Sequence, residues 1–256
     1  MYTDDGYTVV PGVLDPALLK EIHDETVAVC RGMGSDDIRD FLCIHFPHKM
    51  SALMREVAAH PDVVKQLTSI IGPNVKMMQS MLFIKASGKP GQAWHQDEAH
   101  IPTRDRSLTA AWLALDDATV DNGCLWVLPG SHKQGILFPT REQDDPRYDC
   151  AKEAYGFHDD DAVPVEVPAG AAVIFNGYLL HRSLPNRSNG LRRALVNHYM
   201  SAESLLPWFP PTDRRMGLAD HRDITMVAGV DPYAYKGTAD LMKPQIRPDG
   251  DGGCAK

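Results

Sequence analysis

Apolar positions recur at helical spacing in the first quarter of the chain. Asp15 before Pro16 is an N-cap followed by proline at the first helical position. Leu18, Leu19, Ile22, Thr26, Val27 and Cys30 then follow one face until Gly32 and Gly34 stop the run. A second helix is predicted over about 51–59. A third opens at Pro61, carries Val63, Val64, Leu67 and Ile70, and ends at Gly72.

From Val75 the pattern changes to runs of strand length. VKMMQSMLFIKA, SLTAAWLALDDA, CLWVLP, VPVEVPAGAAVIFNGYLLH and RRALVNHYMSA read as strands, with Gly, Pro, Asn and Asp in the turns between them. Helices followed by antiparallel strands predict a mainly β protein with flanking helices, a sandwich or barrel. The reading is one domain over 1–256, with a helical part over about 1–72 and a β core over about 75–202. A polar, acidic insert over about 139–162 is either a solvated loop or a functional one. A flexible tail is expected from Ile246.

Composition narrows the classes. The chain has 26 Lys+Arg against 34 Asp+Glu, a net charge of −8. With no basic stripe, a nucleic-acid partner is not expected. No apolar run approaches the ~18 residues of a membrane span. The acidic opening MYTDDGYTVV does not resemble a secretory leader. Five cysteines at 30, 43, 124, 150 and 254 show no C-x-x-C spacing. A disulfide framework or zinc site is therefore not expected, and the chain reads as soluble and cytoplasmic.

The chemistry concentrates in Trp94-His95-Gln96-Asp97. In an extended segment His95 and Asp97 point to one face and present two of the three ligands of a 2-His-1-carboxylate triad. His181 ends a later strand, and Arg192 and Arg193 open the strand after it. Read as a hairpin, this brings one arginine near His181 and turns the other away. Three protein ligands on an octahedral ion leave room for a bidentate 2-oxo acid and dioxygen. Arginine is a two-pronged donor for the acid's far carboxylate.

WHQD at 94–97, His181, Arg192 eleven residues later and DNGCLWVLPGSH at 121–132 together resemble the phytanoyl-CoA dioxygenase family of Fe(II)/2-oxoglutarate-dependent oxygenases. The resemblance runs from DDGYTVVPGVLD to about Ala202. It implies a double-stranded β-helix, the jelly-roll or cupin-like fold. It also implies iron on His95, Asp97 and His181, and the C5 carboxylate of 2-oxoglutarate on Arg192. Gln79 and Thr109 sit where relatives place further cosubstrate contacts. The implied reaction oxidises a small molecule, chiefly by hydroxylation, while 2-oxoglutarate and O2 become succinate and CO2. Because Asp97 is present, halogenation is not implied.

Other residues read more simply. Arg193 is expected in an ion pair, His198 in a structural role, Lys85 exposed at a strand end, and Cys124 in the core. Trp94 and Trp112 are expected in the core or pocket wall. His100 and the His45-Phe46-Pro47-His48 segment are candidates to face substrate. Two other classes stay open: a cosubstrate-independent metal enzyme on a cupin-like barrel, and a non-catalytic ligand-binding barrel.

Overall fold

The computed structural model describes residues 2–206 and 220–247. Four helices, α1 (Tyr2–Asp5), α2 (Pro16–Gly32), α3 (Ala52–Ala58) and α4 (Pro61–Ile70), lie in the first part of the chain. The three longer ones start as their sequences dictate. The side chains of Asp15, Ser51 and His60 accept from the free backbone N–H groups of α2, α3 and α4, and proline opens α2 and α4.

Strands are numbered in chain order. The larger antiparallel sheet runs β1 (Tyr7–Val10), β10 (Ala172–Asn176), β5 (Thr109–Ala114), β12 (Arg192–Ser201), β3 (Val75–Lys85), β2 (Cys43–His45) and β14 (Gln245–Arg247). β13 (Thr225–Ala228) also pairs with β3. The smaller sheet runs β4 (Gln92–His95), β11 (His181–Ser183), β6 (Leu125–Val127) and β9 (Val163–Val165). Together they form the jelly-roll core expected from the sequence.

The larger sheet is apolar on both faces, so its strands read as near-continuous hydrophobic runs. Ala111, Leu113, Ala172, Ile174, Leu195 and Tyr199 pack with Ile22 and Val29 of α2, Met54 and Val57 of α3, and Val63 and Leu67 of α4. On the other face Ala110, Trp112, Val173, Phe175, Ala194 and Val196 meet Leu125, Val127 and Val165 of the smaller sheet. Alternation along each strand separates the two sets. The functional cavity opens on the second face.

Four features depart from the expectations. β11 and β12 are not a hairpin: they lie in different sheets, so His181 and Arg192 approach the cavity from opposite walls. The 139–162 insert folds in part, with β7 (Thr140–Arg141) paired to β8 (Glu153–Ala154), and it packs Phe157 edge-on against Trp94. The expected tail begins inside a strand, since Gln245, Ile246 and Arg247 pair with His45, Ile44 and Cys43. The rest of that tail lies outside the described residues. Cys30, Cys43 and Cys124 are buried free thiols, whereas Cys150 is disulfide-bonded, which corrects the expectation of cysteines without a disulfide.

Candidate metal and cosubstrate site

β4 and β11 place the two histidines side by side, because His95 and His181 are direct cross-strand partners. Gly91 allows this approach: a Cβ there would collide with the Ser183 carbonyl oxygen. After His95 the chain stays extended through Gln96 and then turns at Asp97 into a 3-10 helix. Gln96 points away and ties down neighbouring loops. Its amide donates to the Ile136 and Tyr178 carbonyls at 3.0 and 2.7 Å and accepts from the Phe138 N–H at 2.8 Å. His95 and Asp97 are thereby left facing the same space.

Ligand atoms of His95, Asp97 and His181 all lie within 4.8 Å of one another, and all three residues are buried. Each histidine Nδ1 donates to the carbonyl two residues upstream, Ala93 at 2.8 Å and Leu179 at 2.9 Å. A carbonyl can only accept, so the proton is fixed on Nδ1 and the Nε2 lone pair is free. Both Nε2 atoms stand 3.7 Å from Asp97 Oδ1. Metal-binding histidines are oriented in this way, so the donor set fits a divalent transition metal with open positions.

Asp97 Oδ2 accepts from His198 Nε2 at 3.2 Å. Burial alone would raise the Asp97 carboxyl, but His181 and His198 hold it well below the usual carboxylate range. Burial, reinforced by His181, pushes His95 well below its ordinary value. The assignment of His198 to a structural role is therefore corrected: it touches the triad carboxylate. The signal was present, because His198 lies an even number of residues from Arg192 on one strand.

The triad opens into a cavity of about 370 Å³ lined also by His45, Gln79, His100, Trp112, Ser183, Arg192 and Arg247. Arg192 is 3% exposed, and its guanidinium lies 5.5 Å from the Trp112 ring centre. Among the described residues no carboxylate pairs with it, and its Nε has no hydrogen-bond partner. Burial lowers its pKa to about 10. A buried cation without an anion calls for one. Arg193, its neighbour, turns the other way and pairs with Asp116 at 2.7 Å, as expected.

Gln79 lines the cavity, opposite His198 in the β3–β12 register. Thr109 does not line it. Its odd position on β5 puts it on the face of Ala111 and Leu113, where its hydroxyl meets Tyr2 and the Ser107 carbonyl. Lys85 is buried rather than exposed. It donates to Ser183 Oγ at 2.9 Å and the Leu184 carbonyl at 2.7 Å.

Two further imidazoles, half-buried His45 and buried His48, give a pH expectation. Burial lowers the pKa of both His45 and His48 from 6.5 to about 4. Between those values the unfolded chain binds more protons than the folded one, so stability falls as pH falls. Each group contributes a slope of at most about 1.4 kcal/mol per pH unit. The melting temperature of metal-free protein should drop steadily from pH 6.5 towards 4. A flat profile down to pH 5 contradicts this.

A jelly roll that gathers two histidines, one aspartate and an arginine without a carboxylate partner among the described residues into one cavity has the donor set of the mononuclear facial-triad class. The family model described as phytanoyl-CoA dioxygenase (PhyH) matches residues 2–194, and the chain belongs to that family. Phytanoyl-CoA dioxygenase 1 of Oryza sativa subsp. japonica is 34% identical over 161 residues, covering 62% of this chain and 57% of the rice protein. The matched part thus spans just over half of that relative's length. Among solved structures, the non-heme monooxygenase ThoJ in its apo form superimposes with a TM-score of 0.72 at 21% identity, over 90% of this chain and 83% of its own. The epimerase SnoN in complex with Fe3+, alpha ketoglutarate and nogalamycin RO gives 0.65 at 21% identity, over 84% and 89%. These likenesses show the fold. Among the described residues no helix is long and apolar enough to cross a membrane.

Proposed function

We propose that the chain, as one domain over 1–256, is a non-haem Fe(II)- and 2-oxoglutarate-dependent dioxygenase that oxidises a small molecule. The observation that carries the reading is the buried Arg192, unpaired among the described residues, lining the same cavity as the His95, Asp97 and His181 donors. The similarly folded SnoN complex holds iron and the 2-oxo acid together, and family membership supports the same pair here.

In this reading His95 and His181 offer Nε2 and Asp97 offers Oδ1. His198 holds Asp97 Oδ2, so the carboxylate presents one oxygen to the ion. Bound there, Fe(II) supplies the redox chemistry by which 2-oxoglutarate and O2 become succinate and CO2 while the substrate is oxidised. Arg192 receives the far carboxylate of 2-oxoglutarate. Ser183 assists: its oxygen accepts from Lys85 Nζ and from the Gln92 N–H, so its own proton is left to donate to an anion. Gln79 is a further polar contact on the same wall. Trp112, Phe175 and Val196 exclude water around the reacting groups. A cytoplasmic location is the finer reading of compartment; three buried free thiols speak for it and the disulfide-bonded Cys150 against it.

The test is anaerobic addition of Fe(II) and then 2-oxoglutarate. A saturable visible charge-transfer band, lost in His95→Ala and His181→Ala, is expected. Bound iron with no band overturns the cosubstrate role and favours a metal enzyme that needs no 2-oxo acid.

A further inference from the structure

Five charged residues border the cavity: Asp97 is the one acid, against Lys152, Arg182, Arg192 and Arg247. Asp97 is committed to the triad and Arg192 to the cosubstrate. Arg182 lies between His181 and Ser183, so alternation turns its guanidinium to the other face, 4.6 Å from the Trp94 ring centre. Arg247 and Lys152 remain. Arg247 meets Asp149 at 2.8 Å and Lys152 meets Glu142 at 3.0 Å. Neither acid lines the cavity, so of each pair only the basic residue borders it. The Lys152 side chain is 56% exposed and marks the mouth, while that of Arg247, at 17%, lies deeper.

His45 and His100 line the same cavity as Arg247. β14 runs beside β2, with Gln245 opposite His45. Burial first, and then the charge of Arg247, disfavour protonation of His45. His45 Nδ1 is buried without a partner among the described residues. The His100 ring centre is 6.3 Å from that of His95, so the group borders the triad. Asp149 meets one nitrogen of Arg247, and a guanidinium has five N–H donors. A concave site of one sign concentrates ligands of the other sign.

We propose that Arg247, backed by Asp149 and sharing the cavity with His45 and His100, receives an anionic oxygen group of the substrate, a carboxylate or a phosphate. It thereby orients the substrate towards the triad. This assignment rests on the oxygenase reading of the triad and Arg192. It makes a strand from the end of the chain a determinant of substrate choice.

The test is calorimetric binding of hexanoate, hexyl phosphate and hexanamide to protein loaded with Ni(II) and 2-oxoglutarate, which occupies Arg192. One or both anions should bind at least tenfold more tightly than hexanamide, and the tighter anion identifies the group. The pairwise variant Arg247→Gln with Asp149→Asn, chosen to leave no unpaired buried carboxylate, should narrow the preference to within twofold. Arg247→Lys should retain it. The comparison is repeated on metal-free Arg192→Met protein, where the other cation is gone. No anion binding at millimolar concentration, or a preference that survives the pairwise variant, overturns the proposal. The charge-transfer band, recorded in parallel, separates the two readings. A normal band without the preference fails this proposal alone. An Arg247-dependent preference without the band fails the cosubstrate reading alone.

Discussion

Arg192→Met is expected to make the ligand-free protein more stable and at the same time to cripple its use of 2-oxoglutarate. The guanidinium is buried with no carboxylate paired to it among the described residues, and burial lowers its pKa to about 10. Its charge is thus a burden on the empty fold, and replacing buried charge by a similar apolar volume is often neutral or stabilising by about 1–4 kcal/mol. The stacking on Trp112 offsets part of this, by about 1 kcal/mol. A gain of about 1 kcal/mol corresponds to a melting temperature raised by roughly 2–4 °C. Losing one side of a buried charge-assisted pair costs about 2–5 kcal/mol of binding. That raises the half-saturating concentration of 2-oxoglutarate by roughly thirtyfold to several thousandfold. Scanning calorimetry and an anaerobic titration of the charge-transfer band read the two effects separately. Unchanged cosubstrate binding removes Arg192 from the site.

Asp97→Ala should abolish metal-dependent succinate formation. Losing a hydrogen-bonding neighbour of a metal ligand costs about 10–100-fold in affinity, so losing the ligand itself should cost at least about a hundredfold. Alanine also leaves His198 Nε2 without its acceptor and His95 and His181 without the carboxylate between them. Asp97→Asn separates these effects: its amide oxygen still accepts from His198, but the charge is gone. Anaerobic Fe(II) titration should rank wild type, Asn and Ala in that order. Stoichiometric metal at wild-type affinity in the alanine variant, with turnover preserved, dismisses the triad.

Much of the fold and the site is legible in the chain alone. Local rules place the helices, because Asp15, Ser51, Pro16 and Pro61 act within one turn. The long strands show as apolar runs, and the spacing of His95, Asp97, His181 and Arg192 announces the site. What escapes depends on pairing across the chain. The hairpin reading of His181 and Arg192 fails because adjacency in sequence does not say which sheet a strand joins.

Parity is the other blind spot. A register shift between β3 and β12 occurs at His198 and Tyr199. Before it Val75 and Met77 face the helices, and after it Leu82 and Ile84 do. No residue-by-residue reading of VKMMQSMLFIKA shows that Gln79, Met81 and Phe83 therefore share the cavity wall. Thr109 could have been rejected, since Trp112 on the same strand has the other parity. Arg247 leaves no signal, because a short polar stretch near the end of the chain reads as a tail.

β12 carries two vocabularies on one strand. Leu195 and Tyr199 lock it to the helical layer, the latter through a 2.8 Å hydrogen bond to the Ala58 carbonyl. Arg192, Val196 and His198 face the reaction space. A change at Val196 can therefore resize the chamber without touching the contacts that anchor the strand. A scaffold so partitioned can drift from one small molecule to another while keeping its architecture, with new specificity acquired one alternate residue at a time.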